Sequence, residues 1–292
     1  MSVAESRLSS DEPADLEDIE IDLLLEAVYR RYGFDFRNYA RASLRRRLSR
    51  RRDLEGIATI SGLLERLLHD PDCMERLLLD LSINVTAMFR DPGFYRAFRE
   101  RVVPVLRTYP FLRIWNAGCS TGEETYSLAV LLAEEGLLDR TRIYATDINQ
   151  SVLARARDGV FPLEKMREYT ENYLAAGGTR AFSEYYVAAY DGVRFDPALV
   201  ANVVFAQHNL VADRSFNEFQ VVICRNVLIY FDKTLQDRVH RLFHDSLSRF
   251  GILVLGQKES VSFTPHEHDY QALDDAHRIY RKVARPTPHG GR

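Results

Sequence analysis

Lysine is nearly missing from this chain. It stands at four positions, Lys165, Lys233, Lys258 and Lys282, among 39 cationic side chains, so the positive charge is carried by arginine. Arginine engages carboxylates and phosphates bidentately, where lysine offers a point charge. The formal net charge is only −3, which singles out no class of partner. Cysteine is scarce as well: Cys73, Cys119 and Cys224 are odd in number and form no CxxC pair, which argues against a disulfide framework and fits a reducing cytoplasm. No apolar run approaches the length that crosses a bilayer, so membrane insertion is not expected. The opening MSVAESRLSSDEPADLEDIE is acidic and lacks the apolar segment of a signal or transit peptide. What is present, 46% hydrophobic and 28% charged residues over 292 positions, suffices for one large or two ordinary soluble domains. Residues 1–14, acidic, and the tail 285–292 read as disordered.

The stretch Leu112–Leu132, LRIWNAGCSTGEETYSLAVLL, organises the rest. It begins as an apolar run, breaks at Ala117-Gly118-Cys119-Ser120-Thr121-Gly122, and continues with Tyr126, Leu128, Ala129, Leu131 and Leu132 at helical spacing. Strand, small-residue turn and helix open a nucleotide-binding type of α/β sheet. Gly118 and Gly122 allow a sharp turn and a close approach of a ligand. A dinucleotide fingerprint would need a third glycine and an anion-friendly helix start. Here Glu123 and Glu124 follow, two carboxylates that repel a pyrophosphate and favour a cation. S-adenosylmethionine, a phosphate-free sulfonium with an ammonium group, is the better match, with a nucleotide or a ligand-free turn as alternatives.

Upstream, residues 15–107 are helical in period. One helix carries Arg41, Arg45, Arg46, Arg47, Arg50, Arg51 and Arg52 with no acid among them, and Leu44 and Leu48 anchor its other side. This basic face reads as a solvated surface or a docking face for an acidic protein; without aromatic interleaving or a known module, nucleic acid is not expected as a partner. The segment Asn84–Pro92 is a polar link in which Asp91-Pro92 has the form of a helix N-cap and first turn. Downstream, a strand over Arg142–Thr146 ends in Asp147, placed to accept ribose hydroxyls or to cap the next helix. Gly177-Gly178 breaks a helix, and the following residues, with Asp191-Gly192 as a turn, read as a hairpin insertion over 178–202. Strands at Val203–Ala206, Phe219–Cys224 and Gly251–Leu255 resume the sheet, and 270–283 can supply two more. The glycine loop, Asp147, Asn209 and Arg225-Asn226 all fall just after strands, where open α/β sheets bind ligands.

Taken together, NVTAMFRD, AGCSTGEETYS, ATDIN, HNL and CRNVLIYFDK resemble, at this spacing, the CheR-type protein-glutamate methyltransferases of bacterial chemotaxis. The resemblance runs from about Leu16 to Val283. It implies a Rossmann-like S-adenosylmethionine-dependent methyltransferase sheet with a small inserted β-hairpin subdomain, spanning 108–284 and preceded by an all-α domain at 15–107. It implies transfer of a methyl group to glutamate side chains on the cytoplasmic helices of chemoreceptors. By position, Asn84, Thr86 and Arg90 correspond to the motif that closes over the cofactor, and Glu124 to the acid at its methionine end. Asp147 corresponds to the ribose acid, Asn209-Leu210 and Arg225-Asn226 to the flanks of the adenine and methionine parts, and Tyr230 to a tyrosine near the reacting methyl. Arg90 and Tyr230 are the expected catalytic residues. The helix Arg41–Arg52 corresponds to the receptor-docking surface, and a cytoplasmic monomer is expected. Met88 stands where an aromatic is usual, GQKES (Gly256–Ser260) replaces a GHSE-type turn, and the insertion lacks the glycine pattern of receptor-tethered members. Alternatives are a cofactor-binding signalling module without transfer, or transfer to another acceptor. No metal is expected: His266-Glu267-His268 is poorly spaced for one chelating face.

Overall fold

The helical period of the first third folds as four helices in a unit of its own. The computed structural model describes residues 13–81, 86–189 and 192–283. The chain divides into two compact units, 1–83 and 84–292. The first holds α1 (Pro13–Tyr32), α2 (Arg41–Leu54), α3 (Ile60–His69) and α4 (Pro71–Leu81). Leu24, Val28, Leu44, Leu48, Leu63, Leu67, Leu77 and Leu81 are buried there. Each such side chain removed from water contributes about 1.5–3 kcal/mol.

The basic face expected on α2 is largely neutralised within the unit. Acids missing from the arginine run arrive mostly from neighbouring helices: Asp18 and Asp22 of α1 pair with Arg41 at 3.1 and 2.6 Å, and Asp18 also pairs with Arg45 at 2.5 Å. Arg51 lies on Asp80 and Glu55, Arg52 on Asp53, and the buried Arg47 donates to the carbonyl of Leu81. Arg46 and Arg50 remain exposed with no polar partner among the described residues. Linear sequence cannot show the pairing of Arg41, Arg45 and Arg51 with Asp18, Asp22 and Asp80, because those acids are brought in by helix packing.

The second unit begins before the sheet, not at it. α5 (Pro92–Ala97) continues through a π-helical segment, Phe98–Val102, into α6 (Val103–Leu106). The irregularity precedes Pro104, which lacks an N–H and cannot close an ordinary α-helical bond. Phe94, Tyr95, Phe98, Val102, Val103 and Leu106 share one core with Leu112, Ile114, Leu128 and Val221. The expected boundary near residue 107 therefore moves to 83/84: the helical period there is real, but its apolar face belongs to the sheet.

The sheet elements are β1 (Leu112–Ala117), α7 (Glu123–Glu134), β2 (Thr141–Asp147) and α8 (Gln150–Asp158). After β3 (Val160–Phe161) and α9 (Met166–Ala175) come β4 (Tyr186–Ala189), β5 (Gly192–Phe195), β6 (Val203–Gln207) and β7 (Phe219–Cys224). The chain closes with α10 (Lys233–Ser246), β8 (Leu247–Leu255), β9 (Tyr270–Asp274) and β10 (Ile279–Lys282). The main sheet has the order β6-β2-β1-β7-β8-β10-β9, parallel from β6 to β8, with β10 antiparallel to β8 and to β9. β1 and β7, buried on both faces, read as continuous apolar runs, as central parallel strands must. β8 starts earlier than expected, at Leu247, and is irregular in its pairing with β7 where Phe250 adopts φ 64°. The insertion forms a separate small antiparallel sheet, β3-β5-β4, which recruits β3 from outside the expected 178–202. Asp191 of its expected turn lies outside the described residues, as do the expected tails up to residue 12 and from residue 284.

Candidate active site

From β1 the chain moves outward to β2 and β6, then returns across to β7. The strand order thus reverses between β1 and β7, and the crevice at their carboxyl ends is where such sheets take ligands. The glycine loop leaves β1 there, and Arg225-Asn226 leaves β7 beside it. A Cβ on Gly118 (φ 76°) would lie 2.5 Å from Val227 Cγ2, and one on Gly122 (φ 99°) would lie 3.2 Å from the Ala156 backbone. Only glycine fits these two positions.

Four of the loop's amides are satisfied from within. Gly118 and Cys119 both donate to the Thr146 carbonyl at 2.7 and 2.9 Å, Gly122 donates to Cys119, and Ser120 N–H donates to Asp147 Oδ2 at 2.9 Å. A phosphate-binding loop leaves such donors for its anion. This one spends four of them internally and follows them with Glu123 and Glu124, which favours a cofactor without phosphates over the nucleotide alternative. Asp147 is 8% exposed. Its Oδ1 accepts from Asn149 N–H at 3.0 Å, so both oxygens hold backbone and the carboxylate shapes the loop as well as lining it. Burial pushes the Asp147 carboxyl up, against the pull of these amides. Burial likewise raises Glu123, which accepts from Thr121 Oγ1 at 2.6 Å.

Glu124 lies at the centre of a partly buried polar chain. Its Oε1 accepts from Asn116 Nδ2 at 2.7 Å and its Oε2 from Arg225 at 2.8 Å. The Arg225 guanidinium reaches on to Asp91 Oδ2 at 2.6 Å and the carbonyl of Arg90 at 3.3 Å, and lies 4.3 Å over the Phe94 ring. The side chain of Arg225 is 2% exposed. Burial acts to lower its pKa, but Glu124, Tyr95 and Asp91 outweigh that, and the guanidinium is held above its ordinary value. Arg225 is therefore a strut between the glycine loop's helix and the Arg90 segment. Asp91 stands at the N-cap of α5 with Pro92 in its first turn, as expected, but its side chain makes no cap hydrogen bond, because the carboxylate is turned to Arg225. Phe89 and Asp91, flanking Arg90, adopt φ 50° and 60°. Left-handed backbone at non-glycine residues costs of order 1–3 kcal/mol each and persists where packing over-determines it, here around the buried Phe89 ring.

The remaining expected residues scatter in role. Thr86 and Arg90 are half-buried; Asn84 lies outside the described residues. Asn209 Oδ1 accepts from Val211 and Ala212 N–H, making a local turn after β6, and Leu210 is buried. Tyr230 is half-buried on a 3-10 turn, Leu228–Tyr230. Asn226 adopts φ 62°, and its N–H donates to Glu259 Oε2 at 3.0 Å. Glu259 also takes Gly256 N–H at 2.6 Å on Oε2 and Val227 and Leu228 N–H at 2.8 Å each on Oε1. The GQKES stretch thus supplies a four-amide carboxylate clamp on the loop after β7. Sequence reasoning passed over Glu259 as part of a departure; its offset three residues after Gly256 was the available signal. It also passed over Asn116, a lone amide in an apolar strand.

Residues 84–277 match the family described as CheR methyltransferase, SAM binding domain, and residues 19–82 match the CheR methyltransferase all-alpha domain. The chain belongs to the CheR methyltransferase family. A Pseudomonas putida protein named methyltransferase Cher3 among putative enzymes is 54% identical over 265 residues, covering 91% of this chain and 97% of that protein. The chemotaxis protein methyltransferase of Salmonella typhimurium is 30% identical over 255 residues, covering 85% of each chain. That of Escherichia coli is 30% identical, covering 85% of this chain and 86% of the relative. This CheR-family chain is an S-adenosylmethionine-dependent protein-glutamate methyltransferase of chemotaxis signalling. No described helix is long and apolar enough to cross a membrane.

Proposed function

We propose that this enzyme esterifies glutamate side chains on the cytoplasmic helical bundle of chemoreceptors or related signalling proteins, acting as a cytoplasmic monomer, with the crevice between β1 and β7 as its cofactor seat. The observation that carries this reading is the hydrogen-bonded chain Asn116–Glu124–Arg225, whose buried guanidinium reaches on to Asp91 and to the backbone of Arg90. It fixes the start of α7 and the Arg90 segment relative to one another, so that a cofactor group and an arginine for the acceptor share one frame. Asp147 and the glycine loop are assigned to the adenosine part, Glu124 with Arg225-Asn226 to the methionine part, Asn209-Leu210 to the adenine flank, and Thr86 with Asn84 to the covering segment.

S-adenosylmethionine, when bound, supplies an electrophilic methyl group. A glutamate side chain has an ordinary pKa of about 4.3 and is already ionised at neutral pH, so no general base is required. The work left to the protein is positioning: oxygen, methyl carbon and sulfur nearly in line, at a near-attack distance of about 3–3.5 Å. Arg90 draws the acceptor carboxylate in without binding both oxygens, which would blunt its attack. Tyr230 orients the acceptor or the methionine end. Charge is neutralised along the reaction, so exclusion of water assists it. For docking, Arg46 and Arg50 are assigned the contact with acidic receptor helices, since their neighbours on α2 are paired within the unit. Arg46 also borders a recess of about 620 Å³, lined with it by Glu17, Arg41, Ala42, Arg45 and Ser49.

The test uses methyl-labelled S-adenosylmethionine and a receptor cytoplasmic fragment. Protein-bound label should leave as volatile methanol in mild base, the signature of a carboxyl ester. Base-stable label would place the methyl on nitrogen or sulfur and overturn the acceptor. Arg90→Ala should lose most turnover with a smaller loss of cofactor affinity; turnover near that of the unaltered enzyme would remove Arg90 from the mechanism.

A further inference from the structure

Among the described residues, one set of three side chains brings metal-ligand donors close together: His244, His266 and Asp269. His244 lies in the last turn of α10, which runs straight into the amino end of β8. His266 and Asp269 lie around the 3-10 turn Glu267–Asp269 that precedes β9. The cluster is therefore at the edge of the sheet opposite the glycine loop. Asp269 is 2% exposed. Its Oδ2 lies 2.9 Å from His266 Nδ1 and 3.6 Å from His244 Nε2, and one donor atom from each residue falls within 4.8 Å of the others. The two imidazoles stack with centroids 4.1 Å apart and planes 13° from parallel. The cation on this side, Lys282, is held away on the carbonyls of His244 and Leu247 at 2.7 and 2.9 Å.

We propose that His244, His266 and Asp269 form a binding site for one divalent first-row transition metal ion, with zinc as its representative. Ligands at 2.0–2.1 Å from such an ion lie about 2.9–3.4 Å from one another, and the separations of 2.9 and 3.6 Å to Asp269 lie at or near that range; one of the stacked rings must turn on binding, so that both in-plane lone pairs meet at the ion. A hydrogen bond accounts for His266 on Asp269 but not for His244 Nε2, which at 3.6 Å is out of range. Two imidazoles and one carboxylate are the donor set of zinc, cobalt or nickel; calcium and magnesium require oxygen ligands. Water completes the coordination. The role is structural. The segment from Gly256 carries Glu259 at one end and this cluster at the other, and between them the Phe263 carbonyl accepts from Lys233 of α10 at 2.5 Å. A metal ion would fasten the far end of that segment to α10. The sequence hides the site because His268, the near neighbour in the chain, is exposed, while the ligand that completes the set comes from 22 positions upstream.

The test takes the full chain without an affinity tag, stripped with a chelator, and titrates Zn²⁺ by calorimetry with metal analysis of the product. One ion per chain is expected, together with a rise in melting temperature. His244→Ala and His266→Ala should each weaken Zn²⁺ binding by more than about 100-fold. His268→Ala should leave it unchanged. Absence of stoichiometric zinc in the unaltered chain, or binding in both ligand variants as tight as in the unaltered chain, overturns the proposal. Should the variants fail to fold, Co²⁺ added to the unaltered chain decides: visible ligand-field bands displaced by one equivalent of Zn²⁺ support the site, and their absence refutes it.

Discussion

Replacing Glu259 by glutamine keeps the outline of the side chain and removes one acceptor oxygen. In the native chain the two oxygens receive four backbone N–H groups: Gly256 and Asn226 on one, Val227 and Leu228 on the other. Whichever way the glutamine amide is turned, its NH₂ faces two donors and leaves both unpaired. Glu259 is 5% exposed, so little water is at hand to replace the lost acceptor. An orphaned buried amide costs about 1–3 kcal/mol, which gives about 2–6 kcal/mol for the pair. Burial pushes the Glu259 carboxyl up while the four amides pull it down; the geometry requires the ionised form, since a protonated carboxyl would aim its own O–H at a donor. Urea unfolding followed by Trp115 fluorescence reads the effect directly, because this sole tryptophan is buried in β1 of the same unit. Cofactor affinity should fall as well, since the clamped loop carries Val227, which abuts Gly118. A loss under about 0.5 kcal/mol would refute the reasoning, because glutamine would then be mimicking a carboxyl that is already protonated.

Arg225→Leu leaves Glu124 and Asp91 facing one another without their shared cation and should cost about 3–5 kcal/mol in denaturant unfolding; Arg225→Lys should rescue only part, because one ammonium cannot span both carboxylates. Gly118→Ala must place a methyl 2.5 Å from Val227 Cγ2 at φ 76°, so calorimetry should find S-adenosylmethionine binding largely lost. His240, 1% exposed, has its pKa lowered from 6.5 to about 4, by burial first and then by the Lys233 charge, with Asp237 opposing and His266 adding to the lowering. The fold favours the neutral ring, so its contribution is whole above pH 6.5 and is lost as the pH falls toward 4. At pH 5 that loss is about 2 kcal/mol. His240→Leu should flatten this part of the stability–pH curve measured by urea unfolding; an unchanged slope would refute the assignment. Arg46→Glu with Arg50→Glu should weaken binding to an acidic receptor fragment at low salt while methylation of a short unstructured acceptor peptide is kept, and equal binding would remove α2 from docking.

The glycine loop, the acid ending β2, the order of strands and helices and the family were legible in the sequence, because each rests on local spacing. The largely apolar stretches that begin at Leu112 and Phe219 need burial on both faces, and Gly118 and Gly122 stand where only a missing Cβ will fit. A helical period could be read as far as residue 106, but not which core it served; the packing of Phe94 and Phe98 against the sheet decided that. Charge was the least legible. Seven arginines on α2 read alike until α1 and α4 brought acids to three of them, Arg41, Arg45 and Arg51. Arg225 read as a cofactor contact until Asp91, 134 positions earlier, was found on its guanidinium. Glu259 and the His244–His266–Asp269 cluster depend on residues far apart in the chain that converge only when the strands are assembled. Local spacing records which face of an element is buried; the pairing of polar groups across elements is fixed by tertiary packing alone.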